Sequence, residues 1–171
     1  MIQIYCGDGK GKTTAALGLS VRAAGSGMRV RIVQFLKGSQ TSELASLALI
    51  PNIEVQRCDR DYGFTFRMSE TDKAQITACH NALLQDAWAA VQAGKIDLLV
   101  LDEFFAAYRT NLLDRALALQ VVQSFPSQRE LVLTGRDPDD TFLACADYIS
   151  EIHAVRHPFE RGIKARRGIE Y

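Results

Sequence analysis

The run Ile4-Tyr5-Cys6-Gly7-Asp8-Gly9-Lys10-Gly11-Lys12-Thr13-Thr14 constrains this chain most, because it sets three glycines and two lysines between a short apolar stretch and an Ala/Leu-rich helical pattern. Gly7, Gly9 and Gly11 tolerate φ > 0, so successive backbone N–H groups can point inward, and the helix that follows adds the positive end of its dipole. A turn of this kind is a cradle for phosphate oxygens. Lys12 supplies a mobile cation and Thr13 a hydroxyl for Mg²⁺, which makes the whole run from Gly7 to Thr14 the candidate nucleotide site. The P-loop (Walker A) pattern G-x-x-x-x-G-K-[ST] puts its first glycine where this chain has Cys6. Gly7 comes one residue later, so the turn into the loop is expected to differ from that of common P-loop ATPases. The alternative is a glycine-rich turn that merely caps a helix.

A length of 171 residues allows one compact domain, 1–171, with a real core. Charge is balanced, 20 Lys+Arg against 20 Asp+Glu, so no bulk field argues for nucleic acid or an anionic membrane. Cys6, Cys58, Cys79 and Cys145 are scattered without C-x-x-C spacing, which speaks against a zinc site and against a disulfide framework. The chain opens on Ile2-Gln3-Ile4-Tyr5, without the basic head and apolar body of a signal peptide, and no apolar run is long enough to span a membrane. A soluble, cytoplasmic protein is expected.

Short β-type runs alternate with longer helical patterns, the mark of a parallel sheet with crossover helices. Strands are expected at Ile2 to Cys6, Arg29 to Leu36, Ile53 to Val55, Ile96 to Leu101, Glu130 to Thr134 and Tyr148 to Val155. Helices are expected at Thr13 to Ala24, Thr71 to Ala93, Leu112 to Val122 and Asp139 to Ala146. Gly25-Ser26-Gly27 and Gly94 are natural stops for the first two. The run Ile96 to Leu101 is almost wholly apolar, as in a strand covered on both faces, and leads straight into Asp102-Glu103.

In an open α/β sheet, ligands gather beyond the carboxyl ends of the strands, so Asp102 and Glu103 should emerge beside the glycine-rich loop. A hydrated Mg²⁺ on a triphosphate needs such hard oxygen partners. Glu103 is expected in the metal's coordination shell with Asp102 supporting it. The alternative for one of the two is to cap a helix or pair with Lys12. Arg136 follows a strand and should reach the same edge, to bind phosphate or another ligand group or simply to stay solvated. Arg22, on the first helix, borders the nucleotide or faces solvent. Phe64 and Phe66 read from spacing alone as one face of a strand, hence core. His80, His153 and His157 receive no acid–base role.

The chain resembles the P-loop type of ATP:corrinoid adenosyltransferases over nearly its whole length. The resemblance rests on Gly7 to Ala16, Val33-Gln34-Phe35-Leu36-Lys37-Gly38, Gly63-Phe64-Thr65, Val100-Leu101-Asp102-Glu103, Leu133-Thr134-Gly135-Arg136, and His157-Pro158 with Gly162-Ile163-Lys164-Ala165 and Arg167-Gly168-Ile169-Glu170. It implies a P-loop NTPase-like (RecA-like) α/β fold, a mostly parallel sheet with helices on both faces in three αβα layers. It also implies that the cobalt(I) of a reduced corrinoid attacks the 5′ carbon of ATP and that triphosphate leaves. No general base is needed, since the cobalt nucleophile carries no proton. Gly63-Phe64-Thr65-Phe66 stands where the family has Gly-Phe-Thr-Trp over the corrinoid, so Phe64 and Phe66 become candidate corrinoid contacts. Phe66 keeps an apolar face without an indole N–H.

Asp8 occupies a position where the family carries Asn; its extra charge beside phosphate is expected to be unfavourable unless Lys10 or Mg²⁺ offsets it. The resemblance further implies a homodimer, an electron-donating flavoprotein partner, and a basic tail around Arg161 to Arg167 that helps close the nucleotide site. Many members carry a segment ahead of the first strand where this sequence has only Met1, so either the tail or a partner subunit does the covering, or the nucleotide site is more open. Two other readings fit the loop alone: an ATPase or kinase acting at the γ-phosphate, and a non-catalytic corrinoid or nucleotide carrier.

Overall fold

The computed structural model describes residues 1–38, 41–63 and 65–170, with residue 66 described by its backbone alone. Its six strands are β1 (Ile2–Cys6), β2 (Val30–Gln34), β3 (Ile53–Arg57), β4 (Leu98–Asp102), β5 (Glu130–Thr134) and β6 (Tyr148–Glu151). They form one sheet in the order β3-β2-β4-β5-β1-β6. Every pairing is parallel. The expected mostly parallel α/β sheet is therefore fully parallel among the described residues.

The α-helices are α1 (Lys12–Gly25), α2 (Glu43–Leu47), α3 (Glu70–Gln92), α4 (Phe104–Arg109), α5 (Arg115–Gln123) and α6 (Asp140–Leu143). Strand alternation sorts them onto two faces. Leu98 and Val100 turn toward a core built with Ala16, Ala23 and Ala24 of α1 and Leu47 of α2. Leu99 and Leu101 turn toward the other, built with Leu84 and Trp88 of α3 and Phe104 and Phe105 of α4. The alanines on α1 let its backbone lie close to the sheet, whereas the second core is filled by aromatic rings such as Phe104 packed edge-on against Phe142. All five residues of β4 are buried, as a central strand covered on both sides requires.

Local signals decide where the helices start. Ser69 and Asp72 form a reciprocal capping box that opens α3, and Gly94 at φ 70° follows its end. The helix expected from Leu112 begins only at Arg115, because the Asp114 carboxylate accepts the Leu117 N–H at 2.8 Å and so caps it. Leu112 and Leu113 are buried just before that cap. Two short helices, α2 and α4, were not expected; at five and six residues they are too brief to carry a periodic pattern. The last strand stops at Glu151 rather than Val155. Beyond it the chain turns over the glycine loop, where the Ile152 carbonyl accepts the Gly9 N–H at 2.8 Å.

The expectation that no disulfide forms is corrected. Cys58 and Cys79 are bonded, with their Cα atoms 6.2 Å apart, tying the segment after β3 to the middle of α3. A separation of 21 residues has no motif spacing, and the two thiols meet only because α3 packs back along β3. Cys6 and Cys145 are free. Among the described residues no helix is long and apolar enough to cross a membrane.

Candidate active site

Because β5 lies between β1 and β4, the turns leaving β1, β2, β4 and β5 emerge side by side at the carboxyl edge of the sheet. The turn after β1 is the glycine loop. Gly7 and Gly11 take φ 99° and 128°, and for Gly11 the conformation alone calls for glycine. At Gly9 the reason is space: a Cβ there would lie 2.8 Å from the carbonyls of the β6 exit at Ile152 and His153. The loop is thus shaped by the strap it presses against as well as by its own freedom.

Lys12 folds back so that its Nζ donates to the Gly7 and Gly9 carbonyls at 2.7 and 2.8 Å. Burial, with the nearby Arg136 guanidinium, holds its amine below the usual lysine range. Asp8 turns its carboxylate to the strap, where Oδ1 accepts the Ala154 N–H at 3.1 Å. That bond holds the carboxyl below its ordinary range. The Asp8 carboxylate is thus held to the strap by a backbone donor.

Asp102, at the end of β4, is 1% exposed, and its carboxylate is the hub of the site. Oδ1 accepts the hydroxyls of Thr13 at 2.9 Å and Thr134 at 2.7 Å. Oδ2 accepts Lys37 Nζ at 2.6 Å. Thr134 in turn accepts the Glu103 N–H at 3.0 Å, and Glu103 sits in the left-handed region at φ 57°. Such a conformation in a non-glycine residue persists only where its surroundings over-determine it. Burial, reinforced by the neighbouring Asp102 charge, pushes the Glu103 carboxyl up from its usual range, with Lys37, Lys12 and Arg136 opposing.

Thr13, Lys37 and Glu103 line a cavity of about 810 Å³. Its floor is the run from Asp8 to Thr14, and Lys37, Glu103 and Arg136 form one side. Arg136 also donates to the Asp8 carbonyl at 3.4 Å. Thr41, Ser42, Glu43 and Ser46, at and around α2, line it too, and the tail contributes His157 and Gly168 to Glu170. The Glu170 carboxyl is drawn down to about 2 by its bonds to Arg166, so the basic tail is partly neutralised by its own last turn.

Of the residues singled out from the sequence, the fold gathers the glycine loop, Asp102, Glu103 and Arg136. Arg22 does not join them: it lies in the last turn of α1, and at ~1.5 Å per residue that is on the order of 15 Å along the axis from Lys12. Phe64 lies outside the described residues, and for Phe66 only the backbone, within a short 3₁₀ turn, is described. Sequence reasoning missed Lys37 and Thr134 as site residues, although each sits at the carboxyl end of a strand, the one signal that could have found them. It also missed the α2 wall. Among the described residues no three His, Cys, Asp or Glu side chains gather as a self-sufficient metal site.

The family model described as ATP:corrinoid adenosyltransferase BtuR/CobO/CobP matches residues 1–171. A protein named corrinoid adenosyltransferase from Escherichia coli is 33% identical over 171 residues, covering 100% of this chain and 85% of the relative. A protein of that name from Pseudomonas aeruginosa is 33% identical over 172 residues, covering 100% and 83%. Corrinoid adenosyltransferase CobA from Salmonella typhimurium is 33% identical over 171 residues, covering 100% and 85%. Among solved structures, EssC (ATPases 2 and 3) from Geobacillus thermodenitrificans aligns with 99% of this chain and 36% of its own at 15% identity and a TM-score of 0.48.

Proposed function

The chain belongs to the ATP:corrinoid adenosyltransferase family, and from that premise we propose that it transfers the 5′-deoxyadenosyl group of ATP to the cobalt(I) of a reduced corrinoid and releases triphosphate. One observation carries the reading at the level of the site: a phosphate-type loop and the Glu103 carboxylate line one cavity, and the buried Asp102 carboxylate holds two of its lining residues, Thr13 and Lys37. As the cobalt–carbon bond forms, the C5′–O bond breaks and its electron pair leaves on the triphosphate. The task of the protein is then to stabilise charge growing on the leaving chain. Lys12 and the inward N–H groups of residues 7 to 14 are proposed to do so, because fixed donors aimed at developing charge need no reorganisation. On binding, Lys12 Nζ would exchange the Gly7 and Gly9 carbonyls for phosphate oxygens.

The oxygen donors suit Mg²⁺ held jointly with phosphate: Thr13 would ligate it, Glu103 would complete or support its shell, and Asp102 would hold Thr13 in place. A bound Mg²⁺ would supply Lewis-acid neutralisation of the triphosphate. Arg136 and the aromatic pair Phe64 and Phe66 are proposed for the corrinoid side. The same proposal includes one domain over the whole chain, a homodimer, a cytoplasmic location and a reduced flavoprotein as electron donor.

The test is an anaerobic incubation with ATP, Mg²⁺ and chemically reduced cobalamin, following the visible spectrum and identifying the phosphate product. Triphosphate appearing in step with a light-sensitive carbon–cobalt bond supports the proposal. ADP with phosphate and no corrinoid change overturns it in favour of γ-phosphate chemistry.

A further inference from the structure

We propose that Lys37 is a second phosphate-binding cation of this site, held in reserve on Asp102 and handed to the triphosphate chain of the nucleotide when it binds. This rests on the adenosyl-transfer reading above. Lys37 lines the same cavity as Lys12, and its side chain is 22% exposed while its partner Asp102 is 1% exposed. The ammonium is therefore the solvent-facing half of a pair whose other half is sealed in.

The backbone that presents Lys37 is fixed on both sides. Leu36 sits at φ 57°, and its N–H donates to His80 Nε2 at 3.2 Å. That leaves the His80 proton on Nδ1, which donates to the Leu112 carbonyl at 2.8 Å. Gly38 passes so close to the Arg60 carbonyl and Asp61 Cα that no Cβ fits. A left-handed leucine is strained, and such conformations concentrate where function demands them. All this rigidity serves to aim a flexible side chain, a compact point charge suited to phosphate.

Asp102 can release it. When Lys37 leaves Oδ2, Oδ1 keeps both threonine hydroxyls, so the carboxylate is not stranded. A polyphosphate presents several negative charges against the single one on Asp102, so an ammonium within reach of both is drawn to the polyphosphate. Transfer of the ammonium follows that gradient, and places a cation on the group that gains charge as the C5′–O bond breaks.

The experiment is calorimetric titration of inorganic tripolyphosphate, without metal, into the wild type, Lys37→Met, Lys37→Arg and the double variant Lys37→Met/Asp102→Asn. Lys37→Met should weaken binding at least tenfold and Lys37→Arg should recover part of the loss. The double variant has the net charge of the wild type and no unpaired buried carboxylate, so it remains informative even if Lys37→Met fails to fold. It should stay weak. Wild-type affinity in the double variant would reduce Lys37 to a counterion of Asp102 and overturn the proposal, as would unchanged binding in Lys37→Met. The failure of adenosyl transfer itself is read separately, from the products of the wild-type enzyme.

Discussion

Replacing Thr134 by Val removes one hydroxyl at nearly constant shape and tests the hub of the site. That hydroxyl makes two bonds, donating to Asp102 Oδ1 at 2.7 Å and accepting the Glu103 N–H at 3.0 Å, and Thr134 is 1% exposed. Loss of a hydrogen bond to a charged acceptor costs about 1.5–3 kcal/mol, and a buried N–H left without a partner about 1–3 kcal/mol. Asp102 retains Thr13 and Lys37, so the lower half of each range applies and the sum is about 3 kcal/mol. For a chain of this size, that corresponds to a fall in melting temperature of roughly 6–12 °C. Urea unfolding should show a lower midpoint at unchanged slope, since the surface exposed on unfolding is the same. Thr134→Ser, which keeps the hydroxyl and loses a methyl, should cost only about 1 kcal/mol. If Val is as stable as Ser, the hydroxyl does not hold Asp102 and Glu103 together, and the hub is wrong.

Lys12→Ala should abolish adenosylation while shifting stability by less than about 1 kcal/mol, because its two bonds to loop carbonyls are half-exposed; near-normal turnover would remove the loop from the chemistry. Burial depresses the pKa of His80 below its usual 6.5, so the folded state binds fewer protons than the unfolded state just below that pH. Melting temperature should therefore fall as pH drops through 6.5, and the dependence should flatten in His80→Gln; an equal slope in both would contradict the assignment. The raised Glu103 carboxyl predicts that Mg²⁺-dependent turnover increases with pH through a range above that of ordinary carboxylates, an increase that Glu103→Gln should erase from a pH–rate profile. The disulfide closes a span of 21 residues, so Cys58→Ser/Cys79→Ser should lose about 3 kcal/mol against the oxidised protein in denaturant titration, and no loss would show that the bond is not formed.

The strands and longer helices were legible because their causes are local. The apolar run Leu98 to Leu101, followed by Asp102, reads as a central strand, the Glu130–Thr134 strand matches residue for residue, and Gly94 ends α3 as a left-handed glycine should. The glycine loop was equally legible, since glycine spacing and the lysine before a helix determine what such a turn can hold. Asp102 and Glu103 were found from their place at a strand end, with Glu103 expected at the metal and Asp102 supporting it, but the partners that hold Asp102 were not. Thr134 and Lys37 lie 32 and 65 residues away from it. What the chain determined by itself was the class of the sheet, its phosphate loop and the family it resembles, each of them set by neighbours in sequence or by blocks read in order. The tertiary structure alone decided that Gly9 must fit under the β6 exit, that Cys58 meets Cys79, and that a lysine is held on a buried carboxylate beside the loop. Those contacts follow from strand order, which joins distant segments through backbone hydrogen bonds that carry no side-chain signature.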